Sequence, residues 1–112
     1  MAEKGYPKIM HGIGGHLSRI EANWLYDTPK RLGDGFYAEL GTFKGRSAIC
    51  LAGGMQDAGV TAVLYTVDSY DGRNMNSGRN FSIESVRESL KEKGVEEYVR
   101  LYEGLTVPTA DL

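Results

Sequence analysis

Phe36-Tyr37-Ala38-Glu39-Leu40-Gly41-Thr42-Phe43-Lys44-Gly45-Arg46-Ser47-Ala48 is the stretch on which the fold turns. A short apolar run ends in a carboxylate, two glycines frame a tight loop, and small and apolar residues at helical spacing follow. The pattern predicts a strand over 36–40, a glycine loop, and a helix over 46–58 with Ala48, Leu51, Ala52 and Met55 facing the sheet. Cys50, beside that stripe, reads as a small buried hydrophobe. Gly59 supplies the helix stop. Such a unit brings backbone N–H groups and a helix N-terminus toward an anionic ligand.

Downstream, Ala62-Val63-Leu64-Tyr65-Thr66-Val67 is nearly continuous in apolar and β-branched residues, which suits a strand covered on both faces, and it ends in Asp68. Strand, crossover helix and strand make a right-handed βαβ unit. Gly41 and Asp68 are therefore expected at one carboxyl edge of a parallel sheet, where open α/β sheets bind ligands. Residues 69–80 are polar and read as a loop. Ser82 then caps a helix whose inward face is Ile83, Val86 and Leu90, closed by Gly94 with Val95 as its hydrophobic contact. Val99-Arg100-Leu101-Tyr102 is the third strand and leads into Gly104-Leu105-Thr106.

Upstream, residues 1–15 show no period and read as a flexible lead, with 16–112 as one domain. Ser18-Arg19-Ile20-Glu21 is a capping box, and Leu17, Ile20, Trp24 and Leu25 are expected on one inward helical face. Thr28-Pro29 is expected to end that helix, Thr28 capping a further turn. Trp24 reads as a packing anchor against the sheet.

E-x-G-x-x-x-G at Glu39, Gly41 and Gly45 departs from the G-x-G-x-x-G of dinucleotide sites. It resembles motif I of class I S-adenosylmethionine-dependent methyltransferases, and E-L-G-x-x-x-G-x-S-A is most like the small-molecule O-methyltransferases. The resemblance implies an α/β, Rossmann-like three-layer sandwich, here incomplete: three parallel strands in the order 3-2-1, crossover helices and an N-terminal helix. It implies S-adenosylmethionine as cofactor, with Asp68 taking both ribose hydroxyls and Gly41 allowing close backbone approach. Gly45 turns the loop into the helix, and Thr42 belongs to the same loop. Ser47 adds a hydroxyl donor. Glu39 either helps hold the methionine ammonium or bonds nearby loop amides, and Phe43 either lies by the cofactor or packs; the sequence leaves both pairs open. Ser69 follows Asp68 in a V-D-S-Y-D-G run similar to the family's, with Asp71 a turn residue. Gly104, Leu105 and Thr106 stand where the family has G-x-S near the adenine. The family's fourth strand, with its acceptor-site acids, metal ligands and catalytic lysine, has no counterpart here, so the catalytic base is unknown and the chain by itself is expected to be inactive.

The chain has 112 residues and a net charge of −2, which gives no electrostatic case for nucleic acid or an anionic membrane. At 41% hydrophobic and 25% charged residues it is an ordinary globular composition. One cysteine excludes an internal disulfide. A cytoplasmic protein with a small-molecule methyl acceptor is expected. His11 and His16 lack partners at metal spacing, so no metal site is expected. The unpaired outer edge of strand one predicts self-association. The alternatives are an interaction module completed by a partner chain, and a nucleotide or NAD domain.

Overall fold

The expected strand and helix on either side of the glycine loop form. The computed structural model describes residues 5–12, 17–40, 45–68 and 82–104. In chain order these build α1 (Arg19–Leu32), β1 (Gly35–Leu40), α2 (Arg46–Ala58), β2 (Ala62–Asp68), α3 (Ile83–Glu92) and β3 (Val99–Glu103). The three strands are parallel in the spatial order β1-β2-β3, with Gly35 opposite Ala62, Glu39 opposite Thr66 and Asp68 opposite Glu103.

Local chemistry sets most boundaries. Ser18 Oγ accepts from the Glu21 N–H at 3.1 Å while Glu21 Oε1 accepts from the Ser18 N–H at 3.3 Å, the reciprocal capping box that starts α1. Ser82 and Ser85 do the same for α3. At its far end the Gly94 N–H donates to the Lys91 carbonyl and the Val95 N–H to the Leu90 carbonyl, both at 3.0 Å. Val95 is fully buried behind this turn.

α1 corrects two expectations. It does not stop at Thr28-Pro29 but runs on to Leu32. Proline has no N–H to give the Leu25 carbonyl, a fault that costs about 3 kcal/mol in an isolated helix. Here Pro29 is fully buried. The Thr28 hydroxyl, in place of capping a new turn, donates to the Trp24 carbonyl at 2.6 Å and accepts from Arg31 at 2.8 Å. The inward face is Ala22, Leu25, Tyr26 and Pro29, spaced i, i+3, i+4, i+7. Ile20 and Trp24 lie opposite, 80% and 59% exposed, so Trp24 is no sheet anchor; the Arg31 guanidinium stands 5.2 Å above its ring.

α2 is more than an amphipathic helix. Ala48, Leu51, Ala52 and Met55 are buried as expected, and so are Ile49, Cys50, Gly53 and Gly54. The sheet lies on one side of α2, and α1 with a 3-10 turn at Lys8–Met10 lies on the other. Part of the lead is therefore built into the core, with Met10 buried and Ile9 against Gly53. Gly54 permits the closest approach: a Cβ there would stand 2.1 Å from the Tyr26 carbonyl oxygen and 3.2 Å from Pro29 Cδ. Full burial of Ile49, Met55, Leu64 and Leu90 contributes about 1.5–3 kcal/mol each.

β2 departs from the expectation of a strand covered on both faces. Ala62, Leu64 and Thr66 are buried, whereas Val63, Tyr65 and Val67 are only partly so. Both crossovers advance in the same direction across the sheet, and right-handedness then puts α2 and α3 on the same face. The opposite face carries an aromatic row, Phe36 to Tyr65 at 6.0 Å and Tyr65 to Tyr102 at 6.1 Å between ring centroids.

Candidate cofactor site

The parallel register delivers the ends of all three strands to one edge. Glu39 is one residue from the end of β1, Asp68 ends β2, and Gly104 follows β3. The Gly104 N–H donates to the Asp68 carbonyl at 2.9 Å, which extends the ladder one residue past β3 and fixes the two strand ends together. α2 starts at the same edge from Gly45, which has φ 82 and offers no side-chain cap. That left-handed conformation suits glycine, and a Cβ there would meet Val86 Cγ1 of α3 at 3.0 Å. The first-turn N–H groups of α2 thus point into the edge without a capping side chain.

Beneath this edge lies a buried polar cluster. The Ser47 hydroxyl donates to Glu39 Oε2. Glu39 Oε1 is buried without a partner, and so is Oγ1 of Thr66, the residue opposite Glu39 on β2. Thr66 and Asp68 are two apart, so they share the face of the sheet on which Glu39 lies. Burial, reinforced by the negative charge of Asp68 and opposed by the Ser47 hydrogen bond, raises the Glu39 carboxyl from 4.5 to about 7. Cys50, one turn along α2 from Ser47, has its thiol pushed up to about 12, first by burial and then by the charge of Glu39. Burial also lowers the basicity of Arg46 at the head of α2.

Neither a family model nor a curated protein matches the sequence. Solved structures do. The chain superposes on the cofactor-bound protein Rv0187 from MTB with TM-score 0.66 and 23% identity, over 89% of this chain and 39% of that one. It superposes on TomG of Streptomyces achromogenes, an O-methyltransferase involved in Tomaymycin synthesis and crystallised with SAM, with TM-score 0.64 and 26% identity, over 87% and 40%. The SAH-bound methyltransferase PaMTH1 of Podospora anserina gives 0.62 and 28%, over 83% and 35%. The chain carries the N-terminal portion of the class I methyltransferase fold. It spans at most two-fifths of the length of these three structures.

Within this methyltransferase fold, Glu39, Gly45, Ser47, Asp68 and Gly104 are the expected site residues whose placement is described, and the sheet brings them to one edge. Gly41, Thr42, Phe43, Ser69, Leu105 and Thr106 lie outside the described residues. The Ser47 hydroxyl, expected to face a ligand, donates to Glu39. Sequence reading passed over Thr66. Its signal was a lone hydroxyl in an apolar strand, two residues before Asp68 and hence on the same face. Among the described residues no three His, Cys, Asp or Glu side chains gather as metal ligands. No described helix is long and apolar enough to cross a membrane. A groove of about 550 Å³ between α3 and β3 is lined by Arg87, Leu90 and Tyr102 among others, and by none of the described site residues.

Proposed function

We propose that this chain is the cofactor-binding part of an S-adenosylmethionine-dependent methyltransferase whose acceptor is a small-molecule hydroxyl. The observation that carries the reading is the shared edge, with Glu39, Asp68 and the uncapped start of α2 together. The residues fit the ligand's chemistry. Asp68 offers two acceptor oxygens for two ribose hydroxyls. The first turn of α2 offers N–H donors to the methionine carboxylate. The unpartnered Oε1 of Glu39 suits the ammonium. Gly41, Thr42, Phe43, Ser69, Gly104, Leu105 and Thr106 complete the binding surface in this reading.

When bound, the cofactor supplies an electrophilic methyl group on a sulfonium. The residues of this chain bind and orient it, and orientation is a large part of what a direct displacement requires of a protein. The structures crystallised with SAM or SAH support the choice of ligand, and TomG, an O-methyltransferase, supports the hydroxyl acceptor.

Calorimetry with S-adenosylhomocysteine, NAD and ATP tests the reading, with S-adenosylhomocysteine expected to bind tightest. Asp68→Ala should lose about 1.5–3 kcal/mol of that affinity, roughly tenfold to more than a hundredfold. A folded Asp68→Ala protein that keeps the parent affinity would remove Asp68 from the site, and tighter binding of NAD or ATP would overturn the ligand class.

A further inference from the structure

Glu39 sits in a place that suits a neutral carboxyl better than a carboxylate. It receives one described hydrogen bond, from Ser47, on one oxygen. Its other oxygen is buried and unpartnered, and the adjacent strand presents a second unpartnered acceptor and donor, Thr66 Oγ1, from a fully buried side chain. A buried ionised carboxylate with an empty lone-pair face is costly, and taking up a proton is the usual relief. Among the described residues little around it would hold the charge. From β2 come Thr66 and the negative Asp68; from α2 come Ser47 and the apolar environment of Cys50; α3 meets the head of α2 with Val86.

We propose that Glu39 makes cofactor binding proton-linked: it carries a proton when the site is empty and releases it when the cationic amine of the ligand docks against it. The inference rests on the function proposed above. An ammonium beside Oε1 supplies the missing donor and an opposite charge, both of which favour the carboxylate. The O–H bond of the acid breaks, the proton goes to solvent, and the amine stays protonated throughout. With the empty-site carboxyl at about 7, roughly half a proton should leave per ligand at pH 7 and nearly one at pH 6. Affinity should fall by about tenfold per pH unit below 7.

The test is calorimetry of S-adenosylhomocysteine binding in two buffers of different ionisation enthalpy at pH 6, 7 and 8, which reads the proton count directly. The expected result is release that grows toward pH 6 and vanishes in Glu39→Gln, which keeps the shape and cannot titrate. The ligand's amine is a cation before and after binding and releases no proton, so release reports the carboxyl. Binding with no proton release, or release that persists in Glu39→Gln, overturns the proposal and leaves the ligand assignment standing. Carbon-13 NMR titration of the Glu39 carboxyl in the ligand-free protein gives a readout independent of binding. A midpoint near that of an exposed glutamate overturns the proposal even if Glu39→Gln fails to fold. Absence of S-adenosylhomocysteine binding at every pH overturns both the function and the linkage.

Discussion

Gly54→Ala sets two effects of opposite sign against each other. Gly54 lies inside α2, where glycine is about 1 kcal/mol worse than alanine. By propensity alone the substitution stabilises. The packing says otherwise. The new Cβ would stand 2.1 Å from the Tyr26 carbonyl oxygen and 2.9 Å from its carbon. That is more than about 1 Å inside an ordinary C···O separation. The obstacle is helix backbone and cannot rotate away, so α1 must move off α2. Moving it opens the contact that buries Ala22 and Pro29 and strains the hydrogen bond from the Tyr26 phenol to Asp57. Overpacking costs about 1–3 kcal/mol when side chains can adjust and more when they cannot. We expect a net loss of at least about 2 kcal/mol, a fall of roughly 1–2 M in the urea midpoint for a chain this small. Gly53→Ala is the control, because its Cβ meets the Ile9 side chain, Cδ1 at 2.5 Å, Cγ2 at 3.0 Å and Cβ at 3.3 Å, which a rotamer change and a small shift of the Lys8–Met10 turn relieve without moving α1. Urea melts followed by far-UV circular dichroism and by the single tryptophan, Trp24 on α1, read both variants. A Gly54→Ala protein as stable as the parent would refute the packing argument.

Two further outcomes follow from the same geometry. A carboxyl raised from 4.5 to about 7 in the fold binds its proton more tightly folded than unfolded. It therefore contributes stability that is fully present below about 4.5 and is lost as pH rises through 7, on the order of 3 kcal/mol in all. Glu39→Gln should gain on the parent between pH 5 and pH 8 in chemical melts, and parallel pH profiles would show that Glu39 is not the titrating group. Among the described residues β1 pairs on one side only, with β2, and Phe36 near its start is 81% exposed. We propose that this edge self-associates, so that sedimentation velocity shows a concentration-dependent species weakened by Phe36→Lys. A monomer at every concentration would remove the edge as an interface.

The sequence by itself determined where the helices begin and where α2 and α3 end, because those signals act over a few residues. The Ser18–Glu21 box, the Ser82 cap, Gly45 before α2, and Gly94 with Val95 after α3 all lie where their local chemistry requires. Asp68 and Gly45 could be assigned to one edge because parallel strands joined by a crossover helix present their carboxyl ends together. Tertiary packing decided the rest. Pro29 is a helix breaker in isolation, and only its burial opposite Gly54 offsets the lost hydrogen bond and carries α1 on to Leu32. Trp24 and Ile20 fall outside because α1 presents its Ala22–Pro29 face to α2, a choice between faces that apolar periodicity alone did not resolve. Glu39 and Thr66 are 27 positions apart in the sequence, and nothing there links one to the other. Their pairing in register, with no donor for Oε1 and no partner for the hydroxyl, exists only once β1 and β2 are side by side, because burial and charge are properties of the surroundings.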